Sequence, residues 1–312
     1  MNTQRYHIPV LLKETTDALA IKPNGIYLDC TLGGGGHFLS LLNGLDSTGV
    51  AVGIDRDPDA VAWNRERFHD YAPTVIIEQE RFSQFDRVLH KHHISFLDGM
   101  LLDLGLSQHH ITEEQRGFSY MKNAPLDMRM DPTNPLTAAD ILNNSDSAEL
   151  TRIFGEYGEI QNPQRMARTI AHYTNKNTLH TTDDLKECLH REYGPRLKIK
   201  MLAKLYQALR IAVNDELREL KTCLGKSVKY LNKDGRLVVM AYHSLEDRIV
   251  KNFMRDMEKS CTCPPGAIMC TCGNTPKFKR VNRKAIKASE QEIAANPSAR
   301  PARLRAATRT GN

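Results

Sequence analysis

No apolar run in the sequence approaches the ~20 residues that a membrane-spanning helix requires, so no transmembrane segment is expected. The opening stretch MNTQRYHIPVLLKE lacks the basic head and long apolar core of a secretory signal, which makes the cytoplasm the expected location. Seven cysteines in a chain without an export signal argue against a disulfide framework. No internal repeat is visible, and only the Ala/Arg/Pro-rich final segment is compositionally biased. Charge of one sign does not dominate either: 43 Lys and Arg face 37 Asp and Glu, a net charge of +6. What remains is ordinary globular composition, 40% hydrophobic and 26% charged, in 312 residues, enough for one large or two modest domains.

The basic excess is concentrated. Lys277, Lys279, Arg280, Arg283, Lys284, Lys287, Arg300, Arg303, Arg305 and Arg309 crowd the stretch from 277 onward against only Glu290 and Glu292. Such a patch suits a phosphate backbone, and a plain solvated tail would read the same way.

Short β-branched or apolar runs at 26–29, 50–54, 74–77 and 100–103 alternate with amphipathic stretches at 58–68 and 82–90. That alternation predicts a parallel sheet covered by helices. From about 112 to 219 the β signal stops, and helices are expected at 136–143, 147–157, 162–174, 182–191 and 199–220. Asp146 and Thr181 supply N-cap chemistry there. The β signal resumes at 236–241. The layout is an α/β domain, 1–111 and 220–312, interrupted by a helical insertion, 112–219.

Asp29-Cys30-Thr31-Leu32-Gly33-Gly34-Gly35-Gly36-His37 follows the first strand and precedes a helical pattern. Residues without Cβ let the backbone turn sharply and a ligand come close, and a plain turn does not need four of them in a row. A dinucleotide fingerprint begun at Gly33 or Gly34 would need a further glycine where Phe38 or Leu39 stands. Asp55 ends the second strand, where a carboxylate can accept hydrogen bonds from ribose hydroxyls. NAD and S-adenosylmethionine sites share that carboxylate, so it marks ribose binding without choosing the cofactor. Asp103 ends the fourth strand, and ligands of open α/β sheets sit at the carboxyl ends of the strands. Gly35, Asp55 and Asp103 thus converge on one crevice.

Three further groups stand out. In Pro125-Leu126-Asp127-Met128-Arg129-Met130-Asp131, carboxylates and an arginine alternate, and in extended backbone they would share a face. In Ala241-Tyr242-His243-Ser244-Leu245-Glu246-Asp247, Ser244 reads as a helix N-cap, with His243 at the ligand edge. Cys261, Cys263, Cys270 and Cys272 form a C-x-C…C-x-C cluster whose four thiolates could close around zinc, although the spacing is tighter than the usual knuckle and reduced surface thiols are the alternative. The run His90-Lys91-His92-His93 reads as a solvated helix end.

HIPVLLKE (7–14), DCTLGGGGH (29–37), GIDRDP (53–58), LLDLGLS (101–107), RGFSYM (116–121), PLDMRMDP (125–132), YQALRIAVNDEL (206–217), GRLVVMAYHSLEDRIVKNFMR (235–255) and NPSARPARLRAATR (296–309) together resemble one family. It is that of the bacterial small-subunit (16S) ribosomal RNA cytosine-N4-methyltransferases, methyltransferase H. The resemblance implies a class I methyltransferase (Rossmann-like) sheet with an inserted helical substrate-recognition domain. It implies S-adenosylmethionine as cofactor and a cytidine N4 in the decoding centre as methyl acceptor, in small-subunit ribosomal RNA or the small ribosomal subunit. Oligomeric state is left open, a homodimer included. By position, Gly35, Gly36 and His37 would hold the cofactor and Asp55 its ribose. Phe82 would lie by the adenine, with Asp103 beside the methionine or adenine end. The family's cofactor-contacting Gln is replaced here by His110.

Methyl transfer asks the protein mainly to align nucleophile, methyl and sulfur. Cytosine N4 is a poor nucleophile, so acceptors for its N–H groups would help; Asp103 and Asp127 are the candidates, with Arg129 or His243 orienting base or phosphate. The cytosine-N4 DNA enzymes carry a Ser/Asp-Pro-Pro-aromatic motif that Asp103-Leu104-Gly105-Leu106 lacks. A non-catalytic RNA-binding or assembly factor would not need both the intact glycine run and the crevice carboxylates.

Overall fold

The computed structural model describes residues 9–105, 114–264 and 269–311. The chain divides into two units, Met1–Gly105 with Arg218–Asn312, and Leu106–Leu217. The first unit is built on a seven-stranded sheet of order β3-β2-β1-β4-β5-β7-β6. Its strands are β1 Ile26–Asp29, β2 Val50–Asp55, β3 Thr74–Gln79, β4 Leu97–Asp103, β5 Leu231–Ala241, β6 Phe278–Arg280 and β7 Arg303–Arg309. β1 to β5 are parallel, and β7 runs antiparallel between β5 and β6.

Strand side chains alternate between two faces, and both faces are buried. Leu28, Val52, Met100, Leu102, Leu237 and Val239 join one core. It is closed by α4 (Phe85–Lys91), α10 (Glu216–Tyr230) and α11 (Ser244–Met257) through residues such as Phe85, Leu220 and Met254. Tyr27, Ala51, Leu101, Val238 and Met240 join the other, under α1 (Leu12–Leu19), α2 (Gly36–Asn43) and α3 (Pro58–Arg67), which contribute Leu19, Phe38 and Val61. Where Tyr27 lies across the sheet there is no room beside it: a Cβ on Gly99 would fall 2.6 Å from its ring.

The second unit is helical, with α5 Ala138–Asn144, α6 Ser147–Glu156, α7 Pro163–Thr174, α8 Thr182–Tyr193 and α9 Ile199–Asn214 around a core that includes Phe154, Met166, Leu185 and Leu209. Capping boxes at Thr137/Asp140 and Thr181/Asp184 start two of these helices, and Asp146 caps a third. The single helix expected over 199–220 is two helices. Asp215 adopts a left-handed φ of 53° and ends α9, and α10 starts at the next residue. Among the described residues no helix is long and apolar enough to cross a membrane.

The segment read as a basic tail is largely architectural. Leu304, Ala306 and Ala307 are fully buried in β7. Arg305 is buried and pairs with Asp247 of α11 through two hydrogen bonds, Nε to Oδ1 at 2.7 Å and Nη2 to Oδ2 at 3.2 Å. Arg309 donates to the carbonyls of Val228 and Lys277, and Arg280 pairs with Glu258 at 2.5 Å. Lys279, Arg283, Lys284, Lys287, Arg300 and Arg303 remain exposed. Removing one partner of a buried pair strands the other charge. Arg305→Ala should therefore cost about 3 kcal/mol or more of stability, measured by urea unfolding. A loss below ~1 kcal/mol would mean that solvent reaches Asp247 and that the pair adds little.

Candidate active site

The carboxyl ends of β1, β2 and β4 bring Asp29, Asp55 and Asp103 to one edge of the sheet. The glycine turn after β1 is held by α3 and by the end of β2. Asp55 Oδ2 accepts the N–H of Gly33 at 2.8 Å, and its Oδ1 accepts that of Asp57 at 2.9 Å. Asn64, fully buried in α3, donates to the Gly33 carbonyl at 2.8 Å. Arg67 donates to the Gly34 carbonyl at 2.9 Å. Gly35 has φ 74°, and a Cβ there would sit 2.0 Å from Asn64 Oδ1, so no other residue fits. Asn64, Arg67 and Asp29 are parts of the site that sequence patterning did not single out.

Asp103 is fixed from two directions. Its N–H donates to Thr31 Oγ1 at 2.6 Å, and the Leu104 N–H pairs with the Met240 carbonyl. Tyr242 packs where a Cβ of Gly105 would be. Burial first, then the Asp103 charge and a hydrogen bond to it, keeps the Tyr242 phenol far above its ordinary range. His37, in the first turn of α2, places Nε2 3.6 Å from Asp103 Oδ2. Desolvation lowers the His37 pKa to about 4, so the imidazole is neutral and the contact is not an ion pair. Both His37 ring nitrogens are buried without a hydrogen-bond partner in the protein.

Phe82 lies just beyond β3, at the same edge of the sheet, buried and 5.6 Å beneath the Arg56 guanidinium. The Glu80 N–H donates to the Asp55 carbonyl, tying that segment to the end of β2. His243, rather than Ser244, is the N-cap of α11. Buried Glu246 reaches back to the N–H groups of Tyr242 at 2.9 Å and His243 at 3.3 Å, and this fixes the helix start one residue earlier. His243 Nε2 stands 3.1 Å from the other Glu246 oxygen. His110 lies outside the described residues.

Asp127 and Arg129 belong to the helical unit, and they do not share an extended face. Met128 between them has φ 60°, which folds the segment so that Arg129 chelates Asp127, Nε to Oδ1 at 2.9 Å and Nη2 to Oδ2 at 2.7 Å. Arg129 Nη1 also donates to the carbonyls of Pro132 and Asn134. Buried Asn214 staples this loop by accepting the Met130 N–H and donating to the Met128 carbonyl. Asp131 turns away to cap Thr133.

A mixed sheet with one antiparallel strand inserted beside β5, covered on both faces and opening a glycine turn and a carboxylate at its carboxyl edge, defines a class I methyltransferase. The chain belongs to the MraW methylase family, whose sequence profile matches residues 4–310. It is 42% identical over 301 residues to the ribosomal RNA small subunit methyltransferase H of Clostridium botulinum (strain Loch Maree / Type A3), covering 96% of this chain and 97% of the relative. It is 42% identical to that of Heliobacterium mobile, covering 97% and 98%, and 41% identical to that of Symbiobacterium thermophilum, covering 96% of each. Among solved structures, an rRNA methylase from Streptococcus thermophilus is similar at 11% identity and a TM-score of 0.42, covering 97% of this chain and 99% of that one.

Three carboxylates at one edge strain one another. Burial, and then the charges of Asp103 and Asp55, raise Asp29 from its ordinary 3.8 to about 7. Between those two values the folded chain holds more protons than the unfolded one. Stability therefore falls as pH rises from about 4 to about 7, and the whole cost is present above that. Asp29→Asn keeps an acceptor for the Thr31 N–H, now 3.0 Å away, and removes the charge. Without cofactor, the variant should melt about 5 °C above the parent at pH 8 and match it near pH 4. Parallel melting profiles across that range would show that Asp29 does not titrate there.

Proposed function

We propose that this chain transfers the methyl group of S-adenosylmethionine to the exocyclic N4 of a cytidine in small-subunit ribosomal RNA. The observation that carries this reading is identity of about 42% along nearly the full length with proteins named for methylation of that RNA. The crevice fits the cofactor on its own chemistry. The His37 nitrogens are buried without partners in the protein, and three carboxylates end neighbouring strands at the edge a cationic ligand would take.

Asp55 is the residue for the ribose, with Gly35, Gly36 and His37 on the methionine side, Phe82 by the adenine and Asp103 facing the reacting end. S-adenosylmethionine supplies an electrophilic methyl on a sulfonium. The chain's own part is to bind, orient and accept protons. The lone pair of cytosine N4 is conjugated with its ring, so acceptors for the two N–H groups favour the rehybridised amine. Asp103 in the sheet unit is a candidate for that role, and Asp127 in the helical unit is a candidate that the family resemblance supplies. Arg129 spends most of its five donors on Asp127 and on two carbonyls. Its first effect is thus to hold Asp127 in place. His243, at the crevice edge, is assigned to base or phosphate contact. The target base must be single-stranded or flipped from its stack.

Asp127→Asn keeps size and one acceptor but loses the charge, so the loss should fall on turnover. A drop of about 100-fold or more is expected, with RNA affinity within a few-fold. The assay is methyl incorporation into small subunits lacking the modification, with digestion to locate N4-methylcytidine. Methyl found on carbon 5, on a ribose hydroxyl or on protein would overturn the substrate. Full activity would remove Asp127 from the chemistry.

The RNA-facing charge is assigned to the basic residues that the fold leaves exposed rather than to Arg280, Arg305 or Arg309. Changing Arg283, Lys284 and Lys287 together to Gln should weaken RNA binding. It should also flatten the dependence of log affinity on log salt by up to about 2, because fewer counterions are released. Equal slopes would mean that this face does not meet RNA.

A further inference from the structure

After α11 ends at Met257 the chain leaves the sheet and returns at Phe278, the first residue of β6. The two ends of this excursion are stapled together. The Lys277 N–H donates to the Met257 carbonyl at 2.8 Å, Asn274 Nδ2 donates to the Lys259 carbonyl at 2.7 Å, and Glu258 accepts both the backbone N–H and Nε of Arg280. Beyond the staples the excursion has little to hold it. None of its described residues is buried, and none lies in a helix or strand. Fixing such a backbone costs about 1–2 kcal/mol per residue. Among its described residues the buried apolar contacts that normally offset this cost are missing.

What the excursion has instead is sulfur. Cys270 Sγ lies 3.5 Å from Cys261 Sγ, 3.6 Å from Cys272 Sγ and 4.0 Å from Cys263 Sγ, and Cys272 Sγ lies 3.8 Å from Cys261 Sγ. All four sulfurs fall within 4.8 Å of one another. A tetrahedron of thiolates about 2.3 Å from a central zinc has edges of about 3.8 Å. A disulfide would need a pair near ~2.05 Å, and each close pair here is well beyond that. Backbone N–H groups point at the sulfurs, Thr262 to Cys272 Sγ at 3.3 Å and Cys263 to Cys261 Sγ at 3.4 Å. Gly273, with φ 58°, turns the chain directly after the last ligand. N–H···S contacts of this kind partly neutralise the charge of a metal-bound thiolate.

We propose that Cys261, Cys263, Cys270 and Cys272 together bind one zinc ion, in a structural site that fixes the segment between α11 and β6. Four soft thiolates in a tetrahedron select zinc over the hard cations. With all four positions filled by protein the ion has no open coordination site, so it serves architecture and not chemistry. Topology agrees. α11 starts at the carboxyl edge of the sheet, beside Tyr242, and its 14 residues carry the chain about 21 Å away. β6 runs parallel to β5 through their shared partner β7, with Phe278 opposite Arg309, near the amino end of β5. The cysteines therefore sit at the edge opposite the crevice.

The test uses the full chain, purified under reducing conditions without a polyhistidine tag. Metal analysis should find about one zinc per chain, and less than a tenth of that in Cys261→Ser/Cys270→Ser. Replacing the zinc with cobalt(II) should give the intense visible bands of tetrahedral cobalt thiolate. Chelation should speed proteolytic cleavage within 258–277 at least tenfold while the sheet's circular dichroism stays unchanged. Zinc no higher than in the double variant, iron in its place, or the weak pink spectrum of octahedral cobalt would overturn the proposal. Should the double variant fail to fold, the metal content and cobalt spectrum of the parent chain decide by themselves.

Discussion

The carboxylate of Asp55 is the constraint on which the ligand edge of the sheet depends. Its two oxygens hold the N–H of Gly33 and of Asp57, so one side chain at the end of β2 fixes both the turn after β1 and the entry to α3. α3 in turn delivers Asn64, which locks the same glycine turn from behind and leaves no space for a side chain at Gly35. The crevice is thus shaped by a closed loop of hydrogen bonds before any ligand arrives. Preorganisation of this kind spares a ligand the cost of ordering its own site.

That rigidity concentrates negative charge. Asp29, Asp55 and Asp103 end three neighbouring strands, and their repulsion together with burial keeps Asp29 protonated well above the ordinary carboxylate range. A cation entering this edge relieves the repulsion, whereas a neutral or anionic ligand does not. Under the proposed function, the repulsion carried by the free protein is a stability cost that the cofactor's sulfonium relieves. His37, kept neutral by the same burial, adds polar capacity without adding charge that would cancel the effect.

Much of this was legible in the chain before its structure. The four early strands announce themselves by short β-branched or apolar runs, and the helices α6 and α8 by the caps Asp146 and Thr181. The glycine run and the strand-ending Asp55 and Asp103 carry their own logic, since few other structures need them. Asn64 carries none: it is one polar residue in a helix, and its partner, the Gly33 carbonyl, is distant in sequence. β7 hides because its buried positions are alanines as much as leucine, and its arginines mimic a solvated tail until Asp247 is seen to neutralise one of them. The fold of Asp127 onto Arg129 depends on a left-handed Met128, which local propensity disfavours and tertiary bonds to Asn214 support.

The placement of β7 also bears on how the molecule is made. It slots between β5 and β6, yet both partners precede it along the chain. While residues 303–309 are still untranslated, the outer edge of β5 has nothing to pair with, and that edge belongs to the apolar centre of the sheet. A nascent polypeptide in this state offers a ready template for a neighbour's strand. The short, Arg-bearing β6 cannot cover the gap, because the register leaves the middle place to β7. Completion of the sheet therefore waits on a late zippering step, and the interval before it is when chaperone protection would matter most.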